Sequence, residues 1–172
     1  MINYDLTKIK AIVFDVDGVM SRQTVNLGSD GEPARTVNTK DGYALQYAVK
    51  QGLHLAIITG ARTPSIRLRY ERLGIKDIFL AAKVKMDIFR EWMANNGFRP
   101  DEIIYMGDDI PDYEIMAYVG CPCCPSDAVA EIRSISVYVL RAAGGEGCVR
   151  DVVETVLKAQ GKWMDDKRAF GW

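Results

Sequence analysis

Ile12-Val13-Phe14-Asp15-Val16-Asp17-Gly18-Val19-Met20-Ser21 sets two carboxylates two residues apart directly after an apolar run. The run reads as a buried strand, and Gly18 opens the chain into a loop, so Asp15 and Asp17 emerge where the strand ends. Carboxylates placed there can hold a divalent cation, attack phosphorus or move a proton. A turn that one carboxylate merely caps is the plainer alternative, and this segment alone leaves all of these open.

Outward from this stretch, apolar runs alternate with longer amphipathic ones. Residues 53–58, 78–80, 103–106 and 137–140 read as further strands, and residues 43–50, 64–73, 85–96, 110–119 and 149–160 carry apolar side chains at helical spacing. Strands alternating with helices predict an α/β fold, a Rossmann-like doubly wound parallel sheet with helices on both faces. Ligands of such sheets bind outside the carboxyl ends of the strands, near a switch in strand order. Residues 22–40 break the alternation: Thr24 to Leu27 and Ala34 to Val37 flank Gly28-Ser29-Asp30-Gly31, which reads as a β-hairpin flap beside Asp15 and Asp17. An isolated hairpin is marginal in water, so it is expected to pack on another surface, such as another subunit.

Bulk properties narrow the classes of function. The 172 residues, 48% of them hydrophobic, suit one domain over residues 1–172 with a sizeable core. Lys plus Arg number 22 against 23 Asp plus Glu, so no global field favours nucleic acid or an anionic membrane. The first ten residues alternate polar and apolar, unlike a signal peptide, and no apolar run approaches membrane-spanning length; a soluble, cytoplasmic protein is expected. Three of the four cysteines crowd into Gly120-Cys121-Pro122-Cys123-Cys124-Pro125, but a zinc site lacks a second ligand pair and no Cys-x-x-Cys is present. A short buried strand using Cys as a small hydrophobe accounts for them better.

The other strand tips are chemically loaded too. Thr59-Gly60 follows the second strand with a hydroxyl and an amide able to donate to phosphate oxygens. Lys83 and Lys85 lie at a helix start, where the helix dipole disfavours a cation unless an anion is close. Gly107-Asp108-Asp109-Ile110-Pro111-Asp112 packs three acids at the next tip, and charges that repel so closely want a cation. Thr59 as a helix cap and the lysines as solvated surface charges are the alternatives at single positions. Four such coincidences together are improbable.

The ordered set Asp15-x-Asp17-Gly18, Thr59-Gly60, Lys85 and Gly107-Asp108-Asp109-x-x-Asp112 resembles the haloacid dehalogenase superfamily of aspartyl phosphotransferases over most of the chain. The hairpin in place of a large cap domain, Asn38-Thr39-Lys40-Asp41-Gly42, Arg69 before Leu73-Gly74, and Gly144-Gly145-x-Gly147-x-x-Arg150 narrow the likeness to its small capless branch. That branch dephosphorylates 3-deoxy-D-manno-octulosonate 8-phosphate, in lipopolysaccharide precursor synthesis, or nonulosonate 9-phosphates.

The resemblance implies that Asp15 is the nucleophile and Asp17 the acid and base. It implies Mg²⁺ held by Asp15, the Asp17 carbonyl and Asp108, and phosphate bound by Asp15, Thr59, Gly60 and Lys85. Asp109 and Asp112 would orient waters and Lys85. Lys40, Arg69, Arg72 and Arg150 are candidates for a substrate carboxylate, and Ala61 after Thr59-Gly60 argues against the nonulosonate branch. It also implies a homotetramer whose hairpins and tails, here residues 161–172 with Trp163, Phe170 and Trp172, cover neighbouring sites. Gly144 to Gly147 would hinge that region or simply turn into the last helix. No nucleic acid or membrane partner is implied. The competing readings are a receiver-type signalling module, disfavoured because its phospho-acceptor follows a middle strand, and an oligomeric scaffold without turnover.

Overall fold

Ala11–Phe14 forms β1, buried on both faces at the centre of a six-stranded parallel sheet. The computed structural model describes residues 2–29 and 31–172. After β1 come β2 (Asn26–Leu27), β3 (Pro33–Ala34), α1 (Thr39–Lys50), β4 (His54–Ile58), α2 (Pro64–Glu71), β5 (Asp77–Phe79) and α3 (Lys85–Asn96). Then follow β6 (Ile103–Met106), α4 (Tyr113–Tyr118), β7 (Cys121–Cys124), α5 (Ala130–Ile135), β8 (Tyr138–Val139) and α6 (Cys148–Ala159).

The sheet order is β5-β4-β1-β6-β7-β8, so the chain winds outward from β1 in one direction and then returns to wind in the other. The switch in strand order lies at β1, which places the crevice above Asp15. Alternation along the strands divides the interior in two. Ile12 and Phe14 face a core with α1, α2 and α6, whereas Ala11 and Val13 face one with Phe89, Trp92, Ile115 and Ile132 of α3, α4 and α5. The predicted doubly wound sheet is therefore the observed one, and no large cap domain interrupts the described residues.

Several details differ from the sequence reading. The helix over 110–119 divides into a 3-10 turn at Ile110–Asp112, with Pro111 in its first turn, and the shorter α4. The helix α5 lacks a sequence signal: it has six residues and only Ile132 is buried. The cysteine run is β7, with Cys121 and Cys123 in one core and Cys124 in the other. Burial pushes the Cys148 thiol up to about 12, so it is an inert core side chain.

The hairpin keeps two-residue arms, Asn26 opposite Ala34 and Leu27 opposite Pro33, rather than four-residue ones. Pro33 cannot donate to the ladder, and no core covers the arms. Asp30 in its turn lies outside the described residues. The tail docks on its own chain's α1: Trp163 sits edge-on to Tyr43 and Tyr47, and Trp172 edge-on to Tyr43. Phe170 stays exposed.

Candidate active site

The acidic loop after β1 is tied to the sheet at its base. Asp15 N donates to the Met106 carbonyl at 3.0 Å, continuing the ladder. The amides of Val19, Met20 and Ser21 all converge on the Val16 carbonyl, and Gly18 takes a left-handed φ of +80°. A Cβ on Gly18 would lie 1.9 Å from Asp108 Oδ2, so the glycine serves both the turn and the close approach of the second acid. Gly144 crowds the same loop from behind, where a Cβ would come 2.0 Å from the Gly18 carbonyl. Gly145 N donates to the Val19 carbonyl at 2.9 Å. The glycine-rich segment thus acts as a close-packed brace of the acidic loop.

Lys85, the first residue of α3, is buried between two carboxylates. Its Nζ lies 3.0 Å from Asp15 Oδ2 and 2.7 Å from Asp112 Oδ1. These charges offset its unfavourable place at a helix start and hold the amine well charged despite burial. Lys83 is exposed, and Lys85 is the one of the two that reaches Asp15. Asp112 is engaged at both oxygens: Oδ1 also accepts from the Tyr105 hydroxyl at 2.6 Å, and Oδ2 accepts from Asp108 N at 3.3 Å. Tyr105 escaped the sequence reading, although a tyrosine inside a fully buried strand demands a partner for its hydroxyl.

Asp15, Asp108 and Asp112 bring carboxylate oxygens within 4.8 Å of one another. Asp15 Oδ1 is buried without a hydrogen-bond partner. Burial, and then repulsion from Asp112, pushes Asp15 up to about 7; burial, and then repulsion from Asp15, pushes Asp108 up to about 8. An unpartnered buried oxygen facing a second acid of raised pKa fits a divalent cation, which would remove both penalties. Asp112 belongs to that cluster geometrically, but its oxygens are committed to Lys85, Tyr105 and the backbone.

Thr59 is buried after β4, accepting at Oγ1 from Ala61 N at 3.2 Å, and Gly60 is exposed beside it. Asp109 does not reach Lys85: it is exposed and accepts from Ile110 N at 2.8 Å, capping the turn. Asp15, Asp17, Asp108, Asp109 and Asp112 line an open cavity of about 310 Å³ with Gln23 and Val129.

None of the four expected substrate cations lines that cavity. Lys40 and Arg72 are exposed. The Arg69 guanidinium crosses α1 at Gly42, where a Cβ would meet it at 2.6 Å, and its Nε has no partner. Arg150 pairs with Glu154 at 3.1 Å and lies over the Tyr43 and Trp163 rings, while its N–H donates to Asp41 at 2.8 Å. A cation that does contact a lining residue is Arg35, whose fork grips Asp17 at 2.7 and 2.8 Å. No motif marks Arg35 in the sequence.

The haloacid dehalogenase-like hydrolase family profile matches residues 36–124. The 3-deoxy-D-manno-octulosonate 8-phosphate phosphatase of Yersinia pestis is 34% identical over 154 residues, covering 90% of this chain and 82% of that protein. Its 1.95 Å crystal structure superposes with a TM-score of 0.88, covering 92% of this chain and 85% of the other. The enzyme of the same name from Moraxella catarrhalis, solved in complex with magnesium ion, phosphate ion and a KDO molecule, gives a TM-score of 0.90. Its identity is 29%, and the match covers 97% of this chain and 96% of that one. The chain belongs to the haloacid dehalogenase-like hydrolase family.

Proposed function

We propose that the protein is a Mg²⁺-dependent phosphatase that hydrolyses 3-deoxy-D-manno-octulosonate 8-phosphate to the free sugar acid and phosphate. The observation that carries this reading is Asp15: buried, held at Oδ2 by Lys85, and unpartnered at Oδ1 beside Asp108. The likeness to sugar-acid phosphatases across 90% of the chain supports the substrate class.

In this reading Asp15 attacks phosphorus, forming an aspartyl phosphate as the bond to the sugar oxygen breaks. Asp17 delivers a proton to that oxygen, then accepts one from the water that cleaves the intermediate. Thr59, the Gly60 amide and Lys85 hold the transferring oxygens, and Asp112 with Tyr105 keeps Lys85 aimed. Asp15, Asp108 and the Asp17 carbonyl would hold Mg²⁺. Bound there, the cation would offset the acids' charge so that a carboxylate can approach a phosphate dianion. Asp109 keeps its assigned part with the waters of the open cavity.

The whole chain acts as one phosphatase domain in this reading. It self-associates as a homotetramer, which gives Leu27 and Val37 on the otherwise uncovered flap an apolar partner. A cytoplasmic setting accords with four free, buried cysteines.

The test is phosphate release across a panel of eight- and nine-carbon ulosonate phosphates and neutral sugar phosphates, with and without Mg²⁺. Preferred turnover of the eight-carbon sugar acid is expected, with Asp15→Asn folded and reduced by more than about a thousandfold. A flat panel would remove the substrate assignment, and turnover by Asp15→Asn would remove the nucleophile.

A further inference from the structure

Asp17 has to meet the leaving sugar oxygen, and each of its carboxylate oxygens already accepts a charged hydrogen bond. Arg35 donates from Nε to Oδ1 and from Nη2 to Oδ2, the side-on fork that a guanidinium makes with a planar carboxylate. Its remaining nitrogen, Nη1, donates to Thr63 Oγ1 at 2.8 Å, and Thr63 donates to Glu32 Oε2 at 2.9 Å. The Arg35 side chain is largely covered at 11% exposure, whereas that of Asp17 stands open at 46%. Arg35 directly follows β3, on a flap whose ladder is two residues long.

This arrangement is a carboxylate-binding fork already filled by a carboxylate. The acid half of the pair is half-exposed, so a second carboxylate of similar geometry can reach the fork and exchange with it. The transferring phosphoryl group belongs deeper, with Asp15 and Lys85. Arg35 does not line the cavity itself but reaches it through Asp17, which does. Arg150 is paired with Glu154, Lys40 and Arg72 are exposed, and Arg69 packs against α1 with its Nε unpartnered; among these cations only Arg35 contacts a carboxylate that lines the cavity.

We propose that Arg35 is the receptor for the substrate's carboxylate, and that Asp17 fills the fork until the sugar acid takes its place. This rests on the sugar-acid reading above. A phosphoester carrying a carboxylate exchanges with Asp17 and frees it for proton transfer; a neutral sugar phosphate leaves Asp17 forked. Specificity for sugar acids then comes from one residue on the flap acting in both binding and release of Asp17.

The experiment compares kcat/KM for 3-deoxy-D-manno-octulosonate 8-phosphate with that for ribose 5-phosphate in wild type, Arg35→Gln and Arg35→Lys, with Mg²⁺ present. In Arg35→Gln the ratio falls by about tenfold or more, mainly through a higher KM for the sugar acid, and Arg35→Lys recovers only part of it. Titration calorimetry with the phosphate-free sugar acid reads the contact without turnover, and its Kd weakens in parallel. Should Arg35→Gln fail to fold, Arg35→Lys carries the test with a drop of at least about threefold. A ratio unchanged in the variants, or equal loss on both substrates, makes Arg35 a brace of the flap and overturns the proposal. A wild type without preference for the sugar acid removes the substrate assignment and this inference together. A preference that survives Arg35→Gln removes only the inference.

Discussion

Asp15, Lys85, Asp108 and Asp112 form a pole of the site that is buried and cross-linked, whereas the flap over it is exposed along its arms and anchored by side chains. The pole hangs on the ends of β1 and β6 and on the first residue of α3, so its charges are set by the core. Reorganising them means moving the sheet. The flap is held by the Arg35 fork, by Thr36 N donating to Ser21 Oγ at 3.0 Å, and by Arg22 N donating to Thr36 Oγ1 at 3.0 Å. Fixed charges in a low-dielectric pocket suit phosphoryl transfer, and an arm on a few exchangeable contacts suits choice of substrate.

The largest effect should come from the cation at the pole. Lys85→Met leaves Asp15 and Asp112 facing each other without compensation, and breaking a buried pair this way costs about 3 kcal/mol or more. Urea unfolding should show that loss at pH 8 and a smaller one at pH 5, where Asp15 can take up a proton. Equal stability of variant and wild type at both values would mean the pole is held by packing alone.

A smaller, graded effect follows from the raised acids. Asp15 is pushed up to about 7 and Asp108 to about 8, whereas unfolded aspartates titrate near 4. Between those limits the folded state binds more protons than the unfolded one, so stability declines as pH rises through the folded values. Asp41, pushed up to about 6 chiefly by burial, has largely titrated below this window. Metal-stripped protein should therefore lose thermal stability between pH 6 and about 8.5, and excess Mg²⁺ should flatten the slope. A flat profile without metal would break the claim that the pole carries uncompensated charge.

The contrast also explains what was legible in the sequence. Asp15, Thr59, Lys85 and Asp108 could be found because each ends or follows an apolar run, and the run fixes its place at the same edge of the sheet. Asp112 was visible as an acid, but its bonds to Lys85 and Tyr105 depend on three elements meeting. Nothing local announces them. Arg69 and Arg150 came from resemblance; here one packs against α1 at Gly42 with its Nε unpartnered and the other meets Glu154 and two rings. Arg35 was invisible for the reason that makes it interesting: it is one of 22 basic residues, on a hairpin whose landing place local pattern does not encode. The same weakness shortened the hairpin from four-residue arms to two, since its apolar alternation met no core.

The smallest effect should fall on the flap. Thr36→Val removes the hydroxyl that accepts from Arg22 N and lies 3.3 Å from Ser21 Oγ, a local loss of about 1 kcal/mol. If the flap opens on its own, that loss lowers only the cost of local opening. Limited proteolysis within residues 22–38 should then speed up by about fivefold. The Tm should stay within about 1 °C of wild type, because the flap has already parted when the core melts. A Tm drop of about 2–4 °C, as expected when a full 1 kcal/mol enters global unfolding of a domain near this size, would mean flap and pole unfold together. In that case the Arg35 fork belongs to the folded core, and an arriving carboxylate would have to displace far more than one exposed ion pair.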